Sequence, residues 1–423
     1  MTRLWTATTS AWLRRRGARL TSTQSQLSPV SSYDLVVIGS GPSATQCALD
    51  SAKQGKRVAI VDKKTRLGGV CVHTGTIPSK TFREAVLHLS GYRHHGFYGK
   101  SYSMKTVTIE DILYRVQRVV SSEEDVVRAQ LKAARVDVIP GFARFESAHE
   151  ISIVKEGAAK DKAETGQCSN NMDARTRVRA DKFLVACGTR PAHNPLVPID
   201  GKIVIDSDQI LKRGMQQLPR SLIVVGAGVI GMEYASMINV VPGHSVTVVD
   251  ARPDVSCSDC IGAPALASTS MEQGRLASCH MWEVDEEHAG TSQLENGNYP
   301  YGIYTIPEIS MVGQTEQQLT KDCVNYEIGI AKYSELAKGQ MMGAMAGGTL
   351  KILFDPDTLK VLGVHAIGEG ATEIIHIGQV AMAMGCSLTY FRDAVFNYPT
   401  LAEAYRVAAL NGLGRRSRDI EEP

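Results

Sequence analysis

The chain has 423 residues, 43% apolar and 21% charged, with a mean hydropathy of −0.11. That is the make-up of a soluble globular protein with room for two to four domains. No apolar run is long enough to cross a bilayer, a net charge of +2 gives no reason to expect nucleic acid, and nine irregularly spaced cysteines do not suggest a secreted disulfide framework.

The charge is unevenly spread. Residues 1–32 hold Arg3, Arg14, Arg15, Arg16 and Arg19, many Ser and Thr, and no acid before Asp34. Arg-rich, hydroxyl-rich and acid-free is the composition of an organellar transit peptide, with Trp5, Trp12 and Leu13 as its apolar face. Delivery to the mitochondrial matrix is the expectation, and a disordered basic tail the alternative. Removing those five charges from +2 leaves −3.

From Tyr33 the chain reads as strand, turn, helix, strand. The apolar run Leu35–Ile38 enters a turn with Gly39, Gly41 and Ala44, a helical segment follows, and Val58–Val61 ends in Asp62. Strand, glycine turn, helix and an acid about 20 residues on form a dinucleotide-binding fingerprint in its proper context. Gly39 serves the tight turn, Gly41 the approach of backbone amides to a pyrophosphate, and Ala44 the close helix packing. Asp62 is placed to accept from a ribose.

Residues 81–92 and 109–135 have helical periodicity, and Val136–Arg144 reads as a strand and turn. Residues 155–177 are polar and predict a long exposed hairpin or loop. An apolar run from Lys182 ends in Ala186-Cys187-Gly188-Thr189-Arg190-Pro191, either a plain strand end or a small-residue turn lying against a cofactor.

A second fingerprint follows. Strand Leu222–Val225 leads to Gly226, Gly228 and Gly231, a helix, another strand and Asp250. Two fingerprints predict two dinucleotide sites. Asp250 favours the free 2′-hydroxyl of NAD, whereas Arg252 could receive the 2′-phosphate of NADP. A doubly wound domain needs several more strands after this unit, yet residues 251–300 show only a helical stretch at 266–284. Cys257 and Cys260 form a CxxC with no partner pair, so no zinc site is expected. From Tyr301 the pattern is α+β. Strands are predicted at Thr349–Phe354 and Val361–Ile367, with a helix over 371–384 burying Ile374, Ile377, Ala381 and Met384, and another from Leu401 to Leu413 before a solvated basic tail with Arg415, Arg416 and Arg418. His365 and His376 read as structural.

The segments GSGPSA, GGVCVHTGTIPSK, ACGTRP, GAGVIGMEYAS, YGIYTIPEIS and FNYPTLAEAYRVAALNGL resemble those of the two-dinucleotide flavoprotein disulfide reductases. Within that family the chain is most similar to the soluble (Si-specific) pyridine nucleotide transhydrogenases. The resemblance covers about 33–254 and 259–414. It implies an α/β fold with two Rossmann-like domains, the second truncated, plus a C-terminal α+β dimerisation domain. The implied boundaries are FAD-binding 33–200, NAD(P)-binding 201–256, a return segment and linker 257–300, homodimerisation 301–414 and a tail 415–423.

The resemblance also assigns roles. FAD, NAD and NADP are the implied cofactors, with Gly69 and Gly188 near the flavin, Lys80 at its reactive edge and Glu233 as the ion-pair partner of Lys80. In disulfide-reducing relatives the cysteine at Cys71 is followed five positions later by a second, where this chain has Thr76. Their C-terminal His, paired with a Glu, is replaced by Tyr398, with Glu403 retained. Without a resolving thiol no local dithiol couple forms. Tyrosine, with an ordinary pKa near 10, is a poor proton shuttle at neutral pH. Hydride transfer between NADPH/NADP and NADH/NAD through FAD is therefore the implied chemistry, with Cys71 left as a tuning group. A dihydrolipoamide dehydrogenase-like enzyme and a non-catalytic FAD-binding or dimerising subunit are the alternatives.

One departure is large. Family members carry roughly 80–100 further residues after the second fingerprint, which complete the doubly wound domain. Here Val255–Asp259 runs almost directly into the segment that follows the family's Gly-Asp motif, placing Asp259 on the ribityl-binding position and Ser258 where the glycine stands.

Overall fold

The computed structural model describes residues 31–63, 66–92, 108–154, 175–191, 193, 197–211, 217–251, 266–284, 299–343 and 347–421. The predicted leader up to residue 30, residues 155–174 of the polar segment, and the CxxC at Cys257 and Cys260 lie outside these.

The first fingerprint folds as read. Strand β1 (Ser31–Ile38), helix α1 (Pro42–Lys53) and β2 (Val58–Asp62) are followed by α2 (Gly69–His73), α3 (Thr76–Leu89) and α4 (Ile109–Ala133). Helix α3 starts five residues before the periodic segment predicted at 81, because Thr76–Lys80 has few large apolar residues to mark it. Strands β3 (Asp137–Pro140), β4 (Phe142–Ser147), β5 (Glu150–Val154) and β6 (Arg175–Val185) complete a six-stranded sheet in the order β3-β2-β1-β6-β5-β4. β3, β2, β1 and β6 run parallel, while β5 runs antiparallel to both its neighbours, β6 and β4. β6 begins at Arg175 rather than Lys182, since its first half pairs with β5 and carries charged residues on one face.

After the short α5 (Ser207–Ile210) comes the second fingerprint, β7 (Ser221–Val225), α6 (Val229–Asn239) and β8 (Ser245–Val249). Among the described residues its sheet has two strands, β7 and β8 in parallel. Ile223 is 66% exposed and Val225 86%, apolar sheet residues that the described residues leave uncovered. Helix α7 (Ala267–Met281) occupies the predicted helical stretch and returns to lie on α1. A β-carbon at Gly274 would stand 2.2 Å from the Ser43 carbonyl, so the two helices meet only because this position is glycine. Buried Ser51 and Ser278 share a hydrogen bond of 2.9 Å, and the Trp282 indole donates to Ser51 Oγ at 2.9 Å.

The remainder is an antiparallel sheet, ordered β11-β12-β13-β10-β9, with helices on it. Its elements are β9 (Tyr301–Ile303), β10 (Ile309–Gly313), α8 (Glu316–Lys321), β11 (Glu327–Lys332), α9 (Ala337–Met341), β12 (Thr349–Phe354), β13 (Val361–Ile367), α10 (Ala371–Ala383), α11 (Leu388–Asp393) and α12 (Glu403–Glu421). Ile374 and Ala381 are buried as predicted, but Met384 is 76% exposed because α10 ends at Ala383 and the next residue turns outward. Helix α12 runs on through the basic stretch to Glu421, past the predicted end at Leu413. Gly412 does not stop α12, since it packs against Phe354 at the close approach to β11. His365 Nε2 bonds the Gln314 carbonyl at 3.0 Å and His376 Nδ1 the Gln379 side chain at 2.8 Å, as expected of structural histidines.

Candidate active site

The turn after β1 is built for a diphosphate. Gly39 has φ +113, and a side chain there would strike the Ala186 carbonyl at 2.1 Å. A β-carbon on Gly41, at the N-cap of α1, would meet nothing within 4 Å, so the loop faces open space. No side chain caps α1 and no acid stands in its first turn, so its free amides and dipole end are available to an anion. Ala44 is fully buried. Asp62, at the end of β2, accepts from Ser40 Oγ at 2.6 Å. Gly69 opens α2 so close that a β-carbon would lie 2.9 Å from the Gly41 Cα. The Ala186–Gly188 turn packs against Gly39, and Gly188 takes φ +71 with open space around it. These features fit a dinucleotide such as FAD.

Cys71 lies in α2. Burial raises its pKa, and a hydrogen bond with Thr76 works the other way. Thr76 thus stands beside Cys71 as an alcohol, in the place where a resolving thiol would be needed. On the same short helix His73 Nε2 bonds the Leu67 carbonyl at 2.7 Å, leaving a buried Nδ1 without a partner among the described residues.

Lys80, one turn into α3, meets Glu233 of α6. Its ammonium donates to both carboxylate oxygens, at 2.7 and 2.6 Å, and sits 4.7 Å from the centre of the Tyr304 ring. The Glu233 side chain is 3% exposed and that of Lys80 27%. The Tyr304 amide donates to Glu233 at 2.9 Å, fixing the carboxylate from a third side. The two helices are held together by an apolar cluster that includes Phe82, Val86, Tyr234 and Met237, with Ile306 packed on it.

In the second fingerprint Gly226 takes φ +109, and a β-carbon on Gly231 would meet the Gly226 carbonyl at 2.1 Å. Gly228 is the N-cap of α6, again without a side-chain cap. The Asp250 carboxylate accepts from the Ala227 amide at 2.7 Å, so it braces the loop. Arg252 and Asp259 lie outside the described residues. Glu403 opens α12 and accepts from the Thr400 amide at 3.4 Å, a bond within its own turn; Tyr398 is 69% exposed. Arg83 and Glu308, which the motif reading passed over, form a buried ion pair of 3.1 Å beside Lys80.

This architecture is the fold of the flavoprotein disulfide reductases. LpdA from Mycobacterium tuberculosis superposes with a TM-score of 0.74 at 20% identity, over 90% of this chain and 99% of that one. The HOCl-induced flavoprotein disulfide reductase RclA from Escherichia coli, in its Cu(II) complex, gives 0.73 at 18%, with the same coverage. Residues 33–385 match the pyridine nucleotide-disulphide oxidoreductase model, and the chain belongs to that family.

Soluble pyridine nucleotide transhydrogenases from Mycobacterium bovis (strain BCG / Pasteur 1173P2) and Erwinia tasmaniensis are 40% and 33% identical. Each alignment covers 90% of this chain, with 97% and 98% of the relatives. The first alignment runs over 480 positions, of which 90% of 423 residues, about 381, come from this chain. About 100 aligned positions therefore face no residue here.

Proposed function

We propose that the chain is an FAD-dependent oxidoreductase that moves hydride between NADPH/NADP and NADH/NAD. The observation that carries this reading is the Lys80–Glu233 pair, standing near a lone Cys71 whose neighbour is Thr76. When bound, FAD supplies the centre that takes and returns the hydride. The fingerprint turn and the start of α1 bind its diphosphate, with Asp62 at the ribose. Lys80 offers a cation held in one place by Glu233 and by the Tyr304 ring, and Cys71, kept protonated by burial, adds no charge. A dihydrolipoamide-type reaction would need a second thiol at Thr76 and an imidazole at Tyr398, and the chain has neither.

The relatives' names support the transhydrogenase reading. The missing positions are assigned to the interval after Asp250, where the nicotinamide unit breaks off. A homodimer formed through the antiparallel-sheet unit would cover Val380, Tyr390, Val395 and Tyr398, all more than half exposed. Import into the mitochondrial matrix rests on the composition of residues 1–32. One observation favours a second reading, a flavin-binding subunit without turnover: the two-stranded β7–β8 sheet leaves Ile223 and Val225 bare.

The test is the purified full chain. A bound-flavin spectrum that bleaches with NADPH and recovers on adding thio-NAD supports the enzyme. Bound flavin that neither NADPH nor NADH bleaches supports the subunit, and absence of flavin sinks both. Import into isolated mitochondria, with and without residues 1–32, tests the address.

A further inference from the structure

Arg83 is three residues beyond Lys80 on α3, so the two cations share one face of that helix, about 5–6 Å apart at their β-carbons. Both, with Tyr304 and Glu308, line one open cleft of about 350 Å³ at the start of α10. The Arg83 side chain is only 4% exposed and is engaged on three sides. It donates to Glu308 Oε1 at 3.1 Å, to the Thr305 carbonyl at 3.1 Å and to Glu84 at 3.0 Å. Glu84 is 44% exposed, so water screens its charge, whereas Glu308 is 8% exposed. The second oxygen of Glu308 accepts from the Thr372 amide at 3.2 Å and hydroxyl at 2.7 Å, in the first turn of α10.

The segment Tyr304–Glu308 is thus a clip between three helices. Its first residue holds Glu233 through the Tyr304 amide, Ile306 donates its amide to Ser236 Oγ at 3.1 Å, and its last residue neutralises Arg83. A buried ion pair is a weak source of stability, because desolvation offsets most of the attraction. What it does here is local electrostatics. An unpaired Arg83 would repel the Lys80 ammonium and compete for Glu233, the nearest buried carboxylate on α6.

We propose that Arg83 and Glu308 are positioning residues that cancel each other inside this clip and so reserve Glu233 for Lys80. The importance of that reservation for flavin chemistry rests on the function proposed above; the charge network itself does not. Other charges facing Lys80 are Glu84 on its own helix and Glu369 and Glu373 at the start of α10.

The experiment uses the full-length chain, reductively 13C-methylated, with the Lys80 resonance assigned by its loss in Lys80→Arg. In Glu308→Gln the unpaired Arg83 lowers the Lys80 titration by about one pH unit. In Arg83→Met the unpaired Glu308 raises it by a similar amount, and the double variant Arg83→Met/Glu308→Gln returns it to within a few tenths of the parent. A merely structural role would release Lys80 to solvent in both single variants and shift both the same way. Shifts of equal sign, or no shift, overturn the proposal. If a single variant does not fold, the neutral double decides: a Lys80 titration displaced from that of the parent by about half a pH unit or more overturns it. In the flavin-loaded protein the midpoint potential should rise in Glu308→Gln and fall in Arg83→Met. Should no flavin bind, the titration still judges the pair while the functional reading alone fails.

Discussion

Lys80→Met removes the ammonium and keeps the bulk of the stem. It leaves the Glu233 carboxylate, 3% exposed, with the Tyr304 amide at 2.9 Å as its remaining tie among the contacts described above. Stripping one partner from a buried pair costs about 3–5 kcal/mol. Lys80 is 27% exposed, so water already reaches this pair, which puts the loss at about 2–3 kcal/mol. Lys80→Met/Glu233→Leu removes both charges and orphans only the Tyr304 amide, for about 1 kcal/mol. The double variant should therefore be more stable than the single one. Urea unfolding of the full chain, followed by far-UV circular dichroism, reads the midpoints. A single variant within about 0.5 kcal/mol of the parent, or a double variant less stable than the single, refutes the claim that the pair is buried and mutually dependent.

Gly274→Val drives a branched side chain into the Ser43 carbonyl and pries α7 from α1; a loss of about 3 kcal/mol in thermal unfolding is expected, with weakened flavin retention. Thr76→Cys places a thiol in hydrogen-bond range of Cys71, and mild oxidation should then remove two thiols from the count that the parent retains. Burial holds the Cys71 thiol protonated, so iodoacetamide at pH 7.5 should label it at least about tenfold more slowly than exposed Cys323, read by mass spectrometry. Burial also lowers the His365 pKa, so the unfolded chain takes up a proton there before the folded one does. Its contribution is full above about pH 6.5 and is lost as pH falls below it. His365→Gln should flatten that acid limb in unfolding experiments.

Both fingerprints could be read from residues because they are local. An apolar run, glycines at fixed offsets and a closing acid need no knowledge of the rest of the chain. The Lys80–Glu233 partnership, 153 positions apart, came only through resemblance; nothing in the pattern of α3 or α6 names it. Arg83 and Glu308 were missed because a charged residue on a helix is usually solvated. The signal available was Arg83 falling beside Phe82, Ala85 and Val86, all buried, on a helix whose exposed face lies elsewhere. The short helices α8 and α11 and the three-residue β9 went unseen since six residues make fewer than two helical turns and three too few alternations for a pattern to stand out. The extension of α12 past Leu413 went unmarked because Gly414 and the polar run after it carry no apolar stripe.

The return of α7 to α1 also has a meaning for how such a gene can change. β6 ends at Val185 and α7, which lies on α1, begins at Ala267, so a stretch of 81 residues joins the two. Lengthening it by the roughly 100 positions present in the relative about doubles the closed loop, which costs only about 0.6 kcal/mol of closure entropy. A change of length beyond Val249, past the α6 residues that pack on α3, would leave the described contacts of the six-stranded sheet in place. Selection on flavin retention and selection on nicotinamide use can accordingly act on separate stretches of the same transcript.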